Sequence, residues 1–167
     1  MIEVEIEVDA WTVALPDAEA LVTRAAEAAL AAPLLQGGGG VKDITVLLAD
    51  DEAVQDLNAR FRGRPAPTNV LSFPAPATAA PHLGDIVLAY GVCAREAEAQ
   101  RKPLADHLLH LTTHGVLHLL GYDHETDADA EVMEALERDI LAGLDVPDPY
   151  AAEHRDTHAP DEADVPL

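Results

Sequence analysis

Three histidines stand in the pattern H-x3-H-x5-H: His114, His118 and His124. His114 and His118 are four residues apart, so on a helix they lie about 40° apart, one turn above the other. Both imidazoles then reach a single metal ion. Gly121 lets the chain leave the helix and bend back, so that His124 enters from a different direction. Three neutral imidazoles and a water form the open tetrahedral set of a catalytic zinc. A structural zinc site normally closes with a fourth protein ligand, often Cys. The one cysteine, Cys93, lies 21 residues before His114. A lone pair of histidines at this spacing would fit ordinary core or surface positions. The third, behind a glycine break, favours a metal.

His107 and His110 precede this pair, and all four histidines fall within about 80° of helical arc. A His110/His114 pair is therefore a rival ligand set, ranked lower because only the later pair is completed beyond a glycine. His110 either orients a ligand or is a hydrogen-bonded core histidine. The spacing, with Gly121, also matches the metal motif of the metzincin proteases. Those enzymes carry Glu directly after the first His as general base. Here that position is Gly115, so peptide hydrolysis by that route lacks its proton acceptor.

A second cluster is cationic. Arg60, Arg62 and Arg64 are three of ten basic residues in a chain of formal charge −21. They predict either a local anion site or a solvated loop. The segment Pro67-Thr-Asn-Val-Leu-Ser-Phe-Pro74 follows.

The elements that must position these residues are readable from pattern. Met1–Asp9 alternates apolar and acidic residues and predicts a strand. Asp17–Ala32 predicts a helix ending near Pro33, and Gly37–Gly40 a loop. Val41–Ala49 predicts a strand, and a helix capped by Asp50 or Asp51 follows to about Arg60. Arg60–Pro67 reads as a basic loop. Asn69–Phe73 and Leu83–Tyr90 read as strands, with an irregular Ala- and Pro-rich stretch between them. Val92–Lys102 reads as a helix, and Pro103 opens the helix that carries the histidines to Leu120. Thr126–Leu141 is the last helix, with Met133, Leu136 and Ile140 on one side. Residues 151–167 predict an acidic, solvated tail. Strands and helices mix without strict alternation, so the expected class is α/β (α+β): a small mixed sheet packed with helices, residues 1–150 forming one domain.

Length and composition set the outer limits. The 167 residues are 49% hydrophobic, enough for one core. A strong acidic excess argues against broad electrostatic binding of nucleic acid. One cysteine excludes an internal disulfide. Met1–Asp9 lacks the basic and apolar regions of a signal peptide, and no run is long enough to span a membrane. The expectation is a soluble, cytoplasmic protein.

Arg62-Gly63, Pro67–Pro74, Leu83-Gly-Asp85, Lys102-Pro-Leu104, His107–His124, Met133–Glu137 and Asp148-Pro-Tyr150 together resemble the YbeY family of bacterial metal-dependent endoribonucleases. The strongest marker is HGVLHLLGYDH, with PTNVLSFP second. The resemblance implies a single zincin-like domain and one Zn²⁺ on His114, His118 and His124, at the C-terminal end of a central helix. It implies an active role for Arg62 beside His114, and cleavage of single-stranded RNA in 16S rRNA 3′-end maturation and ribosome quality control. A ribosomal partner follows from that. Either water or the RNA's own 2′-OH is the nucleophile. Asp85, Asp123 and Ser72 are further candidates for orienting ligands or substrate; each aspartate is equally a turn or capping residue. Where the family often has an acidic and a basic or polar residue before Pro-Thr, this chain has Pro65 and Ala66. Nickel, copper and iron also suit imidazole. A hydrolase of other substrates and a non-catalytic zinc module are the alternatives.

Overall fold

The computed structural model describes residues 1–32 and 42–151. The Gly37–Gly40 loop, and the tail beyond Ala151, lie outside the described residues. In chain order the elements are β1 (Ile2–Ile6), α1 (Ala10–Ala14), α2 (Ala18–Leu30), β2 (Asp43–Ala49), α3 (Asp51–Arg62), β3 (Val70–Pro74), β4 (His82–Ala89), α4 (Tyr90–Ala99), α5 (Leu104–Leu119) and α6 (Asp127–Gly143). A single 3-10 turn at Ala77–Ala79 sits in the stretch expected to be irregular.

The sheet order is β1-β2-β4-β3. β1, β2 and β4 run parallel, and β3 pairs antiparallel to β4 at the edge, with Ser72 opposite Ile86. This is the expected mixed α/β class. β4 is buried on both faces over residues 86–89, whereas β2 buries Ile44, Val46 and Leu48 on one face and leaves Thr45 and Leu47 half-buried on the other. Ile44, Val46, Leu48, Val70, Ile86 and Leu88 pack against α2, α5 and α6, and the main core gathers there. Leu71, Val87 and Ala89 point the other way and pack with Val54 of α3 in a smaller core. α3 and α5 therefore cover opposite faces. β1 is an edge strand, so its inward face is only half covered and Ile6 stays exposed.

Three expectations need correction. α1 is an unforeseen helix of five residues, held by burial of Trp11, whose indole Nε1 donates to Ala49 O at 2.9 Å. Its apolar signal is too short to show helical periodicity. The basic loop at Arg60–Pro67 is in part helix. α3 continues through Arg60 and Arg62, since Val54, Leu57, Asn58 and Phe61 keep one stripe. Gly63 ends it in the left-handed conformation, φ 70°. α4 begins at Tyr90, because β4 passes into it without a loop.

A half-buried polar tie joins the residue before β3 to α4 and α5. The Glu96 carboxylate accepts from Asn69 Nδ2 at 3.0 Å and lies 2.8 Å from His107 Nε2. Burial lowers the pKa of His107 against the pull of Glu96. Burial would raise Glu96, but its hydrogen bonds with His107 and Asn69 bring it below the ordinary value. Both groups therefore take protons more readily in the unfolded chain. Stability is full above about pH 6.5 and falls as pH drops, first through His107 and then, below about 4.5, through Glu96. Thermal melts of metal-free protein should show a falling midpoint from about pH 7 to about pH 5. His107→Gln, which keeps a donor but does not titrate, should shrink that fall.

Candidate metal centre

α5 is the element that sets the histidines out. Its inner residues, among them Leu108, Leu111, Thr112, Gly115, Val116 and Leu119, are buried. The histidine row runs along its flank, and His114 and His118 face each other with Nε2 atoms 3.1 Å apart. Leu120 ends the helix and Gly121 follows at φ 103°. Gly121 N donates to His118 O and Tyr122 N to Leu117 O, each at 3.0 Å. This pair of bonds is a Schellman turn, which needs the left-handed residue that glycine provides. The turn brings His124 back until its ring stacks 5.5 Å from His114 and lies 5.1 Å from His118. Asp123 Oδ1 accepts from Glu125 N at 3.1 Å, and Thr126 caps α6 directly after. His124 is thus clamped between a helix end and a helix start.

The donor atoms of His114, His118 and His124 all lie within 4.8 Å of one another. Two nitrogens on one tetrahedral zinc would stand roughly 3.3 Å apart, given Zn–N bonds of about 2.0–2.1 Å. The His114–His118 separation matches that spacing. Burial, then the neighbouring His114 and His124, pulls the pKa of His118 down to about 3. Burial and His114 lower that of His124. His118 and His124 are accordingly neutral near pH 7, with lone pairs free for a cation. The donor set fits one borderline-soft divalent ion.

Glu137 is the residue that spacing missed. It lies on α6, fully buried, with Oε2 2.7 Å from His114 Nδ1 and Oε1 2.8 Å from His110 Nε2. The Tyr150 hydroxyl donates to the same Oε1. Burial alone would raise this carboxyl; the pull of His114 and the hydrogen bonds of His110 and His114 overturn that and hold it well below the usual carboxylate range. An ionised acceptor at Nδ1 puts the His114 proton there and leaves Nε2 free for the ion. His110 serves that carboxylate rather than the triad, so the rival His110/His114 set is not the one brought together. The available signal was an acid among Met133, Leu136, Ile140 and Leu141, the buried stripe of α6.

The other candidates lie around the edge strand. Ser72 is buried, and its hydroxyl donates to Gly115 O at 3.2 Å. A Cβ on Gly115 would stand 3.1 Å from Ile86 Cδ1 and Cγ2. The position after His114 therefore faces the sheet at close range, and a side chain there would press on Ile86. Arg62 donates through Nη2 to Ser72 O at 2.7 Å, and its guanidinium lies 5.2 Å from the centre of the Phe73 ring. Two hydrogen bonds thus connect Arg62 to the residue next to His114. Burial and then Arg64 lower the Arg62 pKa. Arg60 is exposed and pairs with Asp56 at 3.1 Å. Asp85 lies 3.1 Å from His82 Nε2, half exposed near the start of β4. No candidate cation site other than the three histidines forms among the described residues.

A family model described as Endoribonuclease YbeY matches residues 4–145. The chain belongs to the YbeY endoribonuclease family. It is 51% identical over 164 residues to the endoribonuclease YbeY of Rhodopseudomonas palustris strain BisB5, covering 92% of this chain and 83% of the relative. It is 52% identical over 160 residues to that of strain BisB18, covering 92% and 94%. With the endoribonuclease YbeY of Paramagnetospirillum magneticum it shares 51% over 157 residues, covering 89% and 94%. The solution structure of TM1509 from Thermotoga maritima superposes with a TM-score of 0.54 at 23% identity, covering 87% of this chain and 92% of that one. That likeness is one of fold.

Glu137→Gln should weaken metal binding about 10- to 100-fold, the usual effect of losing the partner that orients a ligating histidine. Competition against a chromophoric chelator measures it. His118→Ala should lose stoichiometric binding in the same assay.

Proposed function

We propose that the chain is a zinc-dependent endoribonuclease that cuts single-stranded RNA in the cytoplasm. Its task in this reading is maturation of the 16S rRNA 3′ end and ribosome quality control, with the ribosome as partner. The observation that carries it is the convergence of His114, His118 and His124 beside an edge strand that holds Arg62. Relatives sharing half of its residues are named endoribonucleases. Residues 1–150 are the catalytic unit, and 151–167 an acidic tail. No described helix is long and apolar enough to cross a membrane.

His114, His118 and His124 hold one Zn²⁺. When bound, it supplies Lewis-acid stabilisation of charge on a phosphoryl oxygen near neutral pH. Glu137 keeps the His114 proton on Nδ1 and so keeps Nε2 available. Arg62 is fixed by Ser72 O and the Phe73 ring before any substrate arrives. Its other N–H groups are directed at the scissile phosphate, binding it and stabilising the charge that builds in the transition state. A guanidinium already held in place loses little entropy on binding. Ser72 acts through the backbone, tying the edge strand to Gly115. Asp85 and Asp123 support the surroundings, one beside His82 and the other closing the turn that carries His124. Gly115 leaves no carboxylate next to His114, which separates this chemistry from peptide hydrolysis.

On labelled single-stranded RNA, wild type should cut and His118→Ala should not. Arg62→Ala should retain its metal and lose about 10²- to 10³-fold in turnover, the scale of removing one charge-stabilising donor. Equal cutting by all three preparations would trace the activity to a contaminating nuclease. Because the chain carries charge −21, its phosphate contacts are few, and affinity should fall only gently with salt. A titration with a steep slope would overturn that expectation.

A further inference from the structure

The chain contains two phenylalanines, Phe61 and Phe73. The fold brings them together beside Arg62. Phe61 is on the last turn of α3 and Phe73 is on β3, and their rings meet edge to face, 5.7 Å apart at 68°. Phe73 packs on the smaller core. Phe61 does not: it is 65% exposed. A large aromatic ring held out in water on an ordered helix gains little from folding. In most positions such a ring is replaceable, yet here it stands within the densest cluster of positive charge in an acidic chain, between Arg60 and Arg62 and three residues before Arg64.

We propose that Phe61, buttressed by Phe73, is the stacking platform for an unpaired base of the RNA whose phosphate Arg62 holds. This rests on the endoribonuclease reading above and names how that site grips a single strand. Three observations carry it. The ring is exposed while Phe73 packs against it edge to face, so a base meets a ring already held in place. The arginine that follows it in sequence is anchored to the edge strand and linked through Ser72 to Gly115, the residue after His114. The net charge of −21 leaves little room for affinity from phosphate contacts spread over the surface. Stacking does not depend on charge, and every base has a face, so it supplies affinity without demanding sequence. A duplex keeps its bases stacked on each other and cannot use the ring. Phe61 thereby selects single strands.

The test uses metal-loaded protein and a short labelled RNA in which each base in turn is replaced by an abasic unit, with kcat/KM measured for each. For wild type, removal of one particular base should lower kcat/KM about tenfold, within the range for one stacked base. Phe61→Leu keeps an apolar side chain and removes the ring. It should lose about tenfold on the intact RNA, equally at low and high salt, and should no longer respond to that abasic position. Phe61→Tyr, which restores a ring, should recover the response. Melting curves check that the exposed substitutions leave the fold intact. If Phe61→Leu matches wild type on every substrate, the platform is overturned and the patch belongs to another occupant, such as a protein, while the endoribonuclease reading stands. If wild type cuts none of the RNAs, both fall.

Discussion

The buried carboxylate of Glu137 is the constraint around which the site is built. An ionised group with no exposure to water is tolerated only where donors surround it. Here the donors come from three places: His110 and His114 on α5, and Tyr150 beyond α6. Removing one partner from a buried ionic cluster costs about 3–5 kcal/mol, so these contacts fix how α6 lies against α5. The same contacts set the proton of His114. Packing of the two helices and readiness for a cation are therefore one requirement.

The opposite flank of α5 obeys a different constraint, which is close approach. Gly115 brings the helix down on Ile86 and exposes a carbonyl to Ser72. In a metzincin that position provides the catalytic carboxylate. Here it provides proximity to the sheet, which joins the metal centre to the edge strand. The edge strand in turn offers its free carbonyl at Ser72 to Arg62, which reaches it from the end of α3 on the far face. The cation and the metal ligands belong to helices on opposite sides of the sheet, and the edge of β3 is where they meet.

Charge distribution completes the arrangement. An excess of acids keeps nonspecific polyanion binding weak, while three arginines at the end of α3 make one positive spot. The last turn of a helix favours cations, since its carbonyls carry partial negative charge. Asp51 and Glu52 in the first turn of α3 complement the other pole. The helix is thus stabilised by the same arginines that make the positive spot.

What was legible beforehand is what depends on neighbours along the chain. The spacing of His114 and His118, the break at Gly121, the cap at Asp50 and the alternation of β1 follow from the geometry of one helix turn or one strand pleat. Those periods are imposed by local sterics and hydrogen bonding, so residue order reveals them. The role of Glu137 was not legible, because it lies 23 residues beyond His114 and meets it only when α6 folds onto α5. Nor was the anchoring of Arg62: its acceptor is a backbone carbonyl, which every residue has and no side-chain pattern marks. Arg62 and Phe61 read as loop because three arginines and a glycine outweighed a helical stripe whose value depended on Phe73, a residue of another element. Residue types and spacing chose the ligands. Only packing over long separations in sequence decided which carboxylate holds His114, which arginine is tied to the edge strand and which aromatic ring is left in water.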